Sequence, residues 1–517
     1  MPLSDFKDML IRQLLEASAE SNQRTREVPA PVALAELLVP ETHFMETVKK
    51  DRNCRVCNLG ANPWVRAYPP EDEADPAFSF DETAGPKNCP PPASPPISYV
   101  YLFLTMDFLT SIVTHTNNYA TNFLNNNRDN LRRHSISRKW TPTTVAEIKA
   151  FFAIIINMGL NRKPTLFSYW SKSDSQQTPW FGQVMPRLRF QLLLKFFHLT
   201  RSNLPRPGQQ GYDACARFQP IIEQFNSKSR HHYTPRQNLS VDESLIGTKN
   251  RTQLIQYLPN KHHHKWGIKL WMLCESLTAY VLACFVYRGK RDRPEAGDGR
   301  GLAHRVVLTL LQMGNYLRKG YHVFIDNFFT SVALRKELYN SKTYATGTVR
   351  QNSKGLPKLI KNKLEPNESA FFRQDFLLAT SYREKKTQKK PVLLLSSKSV
   401  ADVTEVEIRQ RGGGDGDRVV RRKPNVVLDY IKSMGGVDQS DMMLYAYLDE
   451  RRVVKYWKKV AFSILNRMFV NSYILYKQNT AAENPINRYK FYVQAVEQLV
   501  EDYLGGGEAL TWSCNDP

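Results

Sequence analysis

Asn238-Leu239-Ser240-Val241-Asp242-Glu243-Ser244 marks the point at which the chain changes from a helical to an extended period. Upstream, from Ser98 to His198, apolar and aromatic residues such as Tyr101, Phe103, Phe108, Leu109 and Ile112 recur at helical spacing. Downstream, residues 238–242, 265–274 and 280–287 are runs rich in β-branched and aromatic residues, and they read as three strands. A helix over 302–317, a strand over 322–326, a helix over 331–339 and a strand over 343–349 are expected to follow.

The resulting order, β-β-β-α-β-α-β, is that of a ribonuclease-H-like sheet. It puts Asp242 on the central first strand and Asp326, in Phe324-Ile325-Asp326-Asn327-Phe328-Phe329, on the fourth strand beside it. A third acidic stretch, Gly435-Gly436-Val437-Asp438-Gln439-Ser440-Asp441, carries two acids three residues apart, which share a face on a helix. Two carboxylates held that close repel unless a divalent cation or a proton lies between them. They also suit a solvated helix start, where acids favour the positive end of the dipole. Acids at three separate element ends form the pattern of a two-metal phosphoryl-transfer site.

Composition bounds the partners. The 517 residues are 42% hydrophobic and 11% aromatic, which argues for a folded chain with a large core. Lys and Arg number 72 against 49 Asp and Glu, a net charge of +23, and a polyanion is the natural partner for that surplus. Apolar runs such as 151–159 and 279–286 are too short to cross a bilayer, and no signal peptide is expected. Seven scattered cysteines suggest a reducing compartment, cytoplasm or nucleus.

Residues 1–96 read differently from the remainder. A short amphipathic helix over 5–19 is followed by Cys54-x-x-Cys57 and an acidic, Pro-rich tract over 68–96 with the character of a linker. Cys54 and Cys57 have zinc-ligand spacing, but only Cys89 and His43 stand nearby to complete a set of four, so no zinc site is assigned. Thr141 to Glu147 has the cap and first-turn acid of a helix start. The basic face of this helical region has two readings, contact with DNA or plain solvation. His262, His263 and His264 point alternately on an extended segment, which suits phosphate contact or exposure better than a shared metal. Residues 383–390 and 451–459 are strongly basic, and the second stretch, expected to open a helix, includes Trp457. An aromatic face among cations suits stacking on an unpaired base, and it equally suits a core anchor.

Asp242 in Ser-Val-Asp-Glu-Ser, the runs Tyr257-Leu258-Pro259-Asn260-Lys261 and Lys265-Trp266-Gly267-Ile268-Lys269, Asp326 in Ile-Asp-Asn-Phe-Phe-Thr-Ser, and Gly-Gly-Val-Asp438 together resemble the piggyBac transposases and piggyBac transposable element-derived proteins. The resemblance covers residues 98–477. It implies an α/β, ribonuclease-H-like (DDE/D) catalytic domain carrying an insertion domain and flanked by an α-helical dimerisation and DNA-binding domain. The implied boundaries are 97–236 and 448–503 for the helical domain, 237–349 and 423–447 for the catalytic domain, 350–422 for the insertion, and 504–517 for a tail.

By motif position Asp242, Asp326 and Asp438 resemble the catalytic triad, Asp441 a further metal-binding acid, and Trp457 a tryptophan used near the DNA end. DNA contacts are expected from Lys261, Lys265, Lys385, Lys386, Arg451, Arg452, Lys455 and Trp457. Implied partners are double-stranded DNA, with terminal repeats and TTAA target sites, and a second copy of the chain in a homodimer. Two Mg²⁺ ions, replaceable by Mn²⁺, are the implied cofactors, and the nucleus is the implied location. Family members usually end in a cysteine-rich zinc module, whereas here only Cys514 lies in the last 40 residues, while His43-Phe44 and Cys54-x-x-Cys57 look like the start of such a module. The alternative is a domesticated, transposase-derived protein that binds DNA without cutting it. A ribonuclease-H-like nuclease acting on RNA is disfavoured by the ordered motifs.

Overall fold

The computed structural model describes residues 63–69, 78–259, 264–289, 300–409, 418–481 and 484–505. Cys54, Cys57, the helix expected over 5–19, Lys261, His262, His263 and the glycine-rich 412–417 lie outside the described residues. The early elements are β1 (Val65–Ala67), β2 (Gly85–Pro86), α1 (Pro96–Tyr101), α2 (Met106–Asn127), α3 (Val145–Leu160), α4 (Pro179–Val184), α5 (Arg187–Phe196) and α6 (Gln219–His232). Next come β3 (Tyr233–Thr234), β4 (Asn238–Gly247), β5 (Ile255–Tyr257), β6 (Trp266–Glu275), β7 (Val281–Val286), α7 (Leu302–Met313), β8 (His322–Ile325), α8 (Val332–Asn340) and β9 (Tyr344–Thr348). The last are β10 (Glu368–Gln374), β11 (Leu377–Arg383), β12 (Val392–Ser396), β13 (Val403–Arg409), β14 (Arg418–Pro424), α9 (Asn425–Met434), α10 (Gly436–Ala446), α11 (Tyr456–Asn479) and α12 (Arg488–Gly505). They group into two compact units, 1–79 with 322–435, and 80–321 with 436–517.

In the unit of 80–321 and 436–517, β4 pairs antiparallel with β6 from Leu239↔Glu275 to Gly247↔Gly267. The far edge of β6 is shared by β5 and β7. β6 is buried along nearly its whole length, and its continuous apolar run, Ile268 to Cys274 with only Lys269 interrupting, reflects cover on both faces. α11 is the central helix. Most of it is buried, and it packs against α1, α6 and α10. α3 starts as its sequence suggests, with the Thr144 side chain accepting from the Glu147 N–H at 3.3 Å. The Glu147 carboxylate in turn receives both the Nε and a terminal nitrogen of the buried Arg189, each at 2.5 Å.

In the other unit the strands run in the order β1-β10-β11-β12-β9-β8. Every neighbour pair there is antiparallel except β8 and β9, which are parallel and joined through α8 as a parallel pair requires. Its core gathers Val349, Leu356, Ile360, Phe372, Leu377 and Leu395. β13 and β14 form a separate hairpin.

Two expectations need correction. Within residues 1–96, read as largely linker-like, the described 63–69 and 78–96 are built into the fold. Trp64 lies in the β10–β12 core and its Nε1 donates to the Gly355 carbonyl at 2.8 Å, while β1 extends the sheet beside β10. Further on, Phe80 packs edge-on to Tyr321 and Glu82 pairs with Lys319 at 2.8 Å. Each large ring buried contributes about 2 kcal/mol, which offsets the ordering of only one or two residues, so several aromatic anchors together with strand pairing and the Glu82 ion pair act against the Pro-rich composition. Secondly, residues 451–455 do not begin a helix. α11 starts at Tyr456, and Lys455 before it is extended.

Candidate functional site

On β4 side chains alternate, so Ser240, Asp242 and Ser244 share one face. α10 lies over that face. Its first residue, Gly436, has no room for a side chain, since a Cβ there would stand 2.4 Å from the Ser240 Oγ. At the other end, the Ser244 hydroxyl donates to Asp441 Oδ1 at 2.8 Å. Asp242 sits between these two anchor points, and Asp438, in the first turn of α10, sits between them along the helix. Asp242 is only 2% exposed, and its Oδ1 accepts the Glu243 N–H at 2.9 Å, which fixes the carboxylate against its own strand.

Asp441 has a different partner from the one expected. Its Oδ1 receives Arg467 of α11 at 2.6 Å, and the same guanidinium nitrogen contacts the Ser244 Oγ at 2.6 Å. Burial, the largest single influence, pushes the Arg467 pKa down, but the charge and hydrogen bond of Asp441, with smaller contributions from Cys284 and Tyr445, together outweigh it, so the net shift is upward. Asp441, expected among metal ligands, is thus the counter-ion of a buried arginine that ties α11, α10 and β4 together. Arg467 was missed from sequence. The available signal was a lone arginine inside the apolar run Ile464-Leu465-Asn466-Arg467-Met468-Phe469.

Asp326 belongs to the other unit and follows β8 directly. Its Oδ1 accepts the Phe328 N–H at 2.9 Å, and its carbonyl accepts the Thr330 hydroxyl at 2.8 Å, closing a tight turn. Arg335 lies beneath this turn, fully buried, with a terminal nitrogen 3.4 Å from the Thr330 Oγ1. Desolvation pushes its pKa down to about 9. Gly347 of β9 permits the close approach, because a Cβ there would stand 2.3 Å from the Ile325 carbonyl.

A family model described as Transposase IS4 matches residues 95–473. The chain belongs to the piggyBac family of transposases and transposable element-derived proteins. It is 22% identical over 374 residues to human piggyBac transposable element-derived protein 3, covering 70% of this chain and 59% of that one. It is 24% identical over 404 residues to human piggyBac transposable element-derived protein 2, covering 74% and 61%. The chain thus spans about three fifths of the length of these curated relatives. A piggyBac transposase synaptic complex with hairpin DNA, solved by cryo-electron microscopy, superposes with a TM-score of 0.70 at 26% identity, over 84% of this chain and 86% of that one. The fold class is the α/β, ribonuclease-H-like one expected of the family.

In this piggyBac-family chain the donor type of Asp242 and Asp438 suits a hard divalent cation, since both offer only oxygen. Among the described residues, no group of three or more His, Cys, Asp or Glu side chains gathers as a preformed cage. No helix among the described residues is long and apolar enough to cross a membrane.

The cations expected to meet DNA separate by environment. Lys265, Lys386, Arg452 and Lys455 are exposed, and Lys385 is half-buried. Arg451 is engaged internally, pairing with Asp449 at 2.7 Å and lying 4.5 Å above the Tyr169 ring. Trp457 requires a correction. It is 4% exposed and stacks on Phe197 with ring centroids 6.1 Å apart, 16° from parallel, so it is a core side chain that cannot offer its face to a base.

Proposed function

We propose that this chain is a piggyBac-type DNA transposase in which Asp242, Asp326 and Asp438 are the catalytic carboxylates for strand cleavage and transfer. The observation that carries this reading is the seating of α10, with Asp438 in its first turn, on the β4 face that bears Asp242, through Gly436 and the Ser244–Asp441 contact. Magnesium, or manganese in its place, would supply Lewis acidity at the attacking and leaving oxygens when bound. The protein supplies orientation. Asp242 is fixed by burial and by the Glu243 amide, Asp326 by the Phe328 amide, and Asp438 stands at the positive end of the α10 dipole. Exposed Lys265, Lys386, Arg452 and Lys455, joined by Lys261 and Lys385, contact backbone phosphates of double-stranded DNA. Terminal repeats and TTAA targets, a homodimeric assembly and action in the nucleus belong to the same proposal, and what supports them is family membership.

The test is divalent-dependent cleavage of a duplex carrying matching terminal repeats. Asp→Asn keeps the shape and removes the charge, so each of D242N, D326N and D438N should lower the rate at least about a thousandfold, roughly 4 kcal/mol of transition-state stabilisation, with DNA binding retained. Undiminished cleavage by D326N sinks the site. Binding without cleavage by the unaltered protein, on every matching end, selects the domesticated, binding-only alternative.

A further inference from the structure

The loop that follows α2 carries Arg128, Arg132, Arg133, His134, Arg138 and Lys139, with Asp129 as its only acid. Its backbone is tightly organised. The Arg138 guanidinium donates to the carbonyls of Arg128 and Leu131, both at 2.8 Å, and of Arg132 at 3.3 Å. The Ser135 N–H returns to the Arg132 carbonyl at 2.9 Å. A second helix pins the loop from below. Lys195 of α5 reaches the Ser137 hydroxyl, and its ammonium lies 4.5 Å over the Phe123 ring of α2. Ser137 is buried, whereas Arg132, Arg133, His134 and Lys139 are exposed.

These exposed cations have no carboxylate partner among the described residues. One cation at this position is explained by the helix, because the C-terminal end of α2 carries partial negative charge and Arg138 answers it. That effect fades beyond the last turn, so it does not explain Arg132, Arg133 and Lys139. Like charges held together on an ordered backbone repel, and the arrangement is favourable only when an anion shares it. A flexible basic tail relieves that repulsion by spreading, and this loop is tied too closely to do so.

We infer that residues 128–139, none of which is among the cations expected from sequence to contact DNA, form a preorganised binding surface for the phosphate backbone of duplex DNA. The inference rests on the reading of the chain as a DNA-binding protein. Contacts of this kind fix where the duplex lies and carry no sequence information. Each phosphate neutralised steepens the fall of log affinity against log salt by about 0.9.

The experiment measures binding of the full chain to a labelled random-sequence duplex of about 30 base pairs across a salt series. In R132E/R133E/K139E the salt slope should become shallower by about 3, and affinity at about 0.05 M salt should fall at least tenfold relative to a control of equal charge. That control, K342E/K354E/K490E, reverses exposed lysines elsewhere. R132K/R133K should keep the original slope, because phosphate contact needs charge there and no fixed geometry. Equal binding by the loop variant and the control overturns the inference while leaving the DNA-binding reading intact. Failure of the unaltered protein to bind any duplex at low salt overturns both. Unchanged melting temperatures for all variants would exclude unfolding as the cause of a loss.

Discussion

Residues 128–139 and 451–459 are both short and strongly basic, and the fold treats them in opposite ways. In the first, one arginine folds the loop and the other cations remain in water. In the second, most of the charge is turned inward. Lys458 donates to the carbonyls of Leu194 and Lys195 at the end of α5, Lys459 donates to the Arg451 carbonyl, and Arg451 pairs with Asp449. Only Arg452 and Lys455 remain exposed. Charge density along a chain therefore does not measure charge offered to a partner. The neighbours decide, because a long cationic side chain reaches a buried helix end as readily as it reaches solvent.

The sharpest break with this comparison would come at Trp457. As a core residue stacked on Phe197, its replacement in W457A should destabilise the protein by about 4 kcal/mol, read from chemical denaturation, while the molecules that stay folded bind DNA as before. A large loss of DNA affinity with stability unchanged would return the residue to the surface. Next in size is Arg467, a buried cation with a buried-side partner. R467M leaves Asp441 uncompensated and should lose about 3 kcal/mol, whereas D441L/R467M should recover most of it. Full additivity of D441L and R467M in that cycle would show that the two side chains do not act as a pair.

Lys458 gives a pH signature that an exposed lysine lacks. Burial lowers its pKa to about 7 in the fold, against an ordinary value of 10.5. Between those values the unfolded chain holds a proton that the folded one has released, so stability rises with pH. Denaturation between pH 7 and 9 should show a rise on the order of 2 kcal/mol that is missing from K458M. The smallest effect is expected at the exposed pair. R452E/K455E should change stability by less than about 0.5 kcal/mol and flatten the salt slope for DNA by about 2. An unaltered slope would restrict the DNA surface to other cations.

Much of the architecture was legible because it is local. The strands expected over 265–274 and 322–326 are observed as Trp266–Glu275 and His322–Ile325, and the helix expected over 331–339 as Val332–Asn340. Runs of β-branched and aromatic residues, and the Thr144–Glu147 cap, announce themselves within a few residues. β5 was missed because a strand of Ile255–Tyr257 is too short to show a period. β1 was missed because Val65–Ala67 is stabilised by pairing with residues some three hundred positions away.

What the sequence determined by itself was the alternation that puts Ser240, Asp242 and Ser244 on one face, the placing of Asp438 in the first turn of a helix, and the overall positive charge. Tertiary structure alone decided which charges are balanced and which are offered outward. It gave Asp441 to Arg467, took Trp457 and Lys458 into the interior, and left Arg132, Arg133 and Lys139 facing solvent. The physical reason is that periodicity is a property of neighbours along the chain, whereas the free energy of a charge or a ring depends on what surrounds it in space.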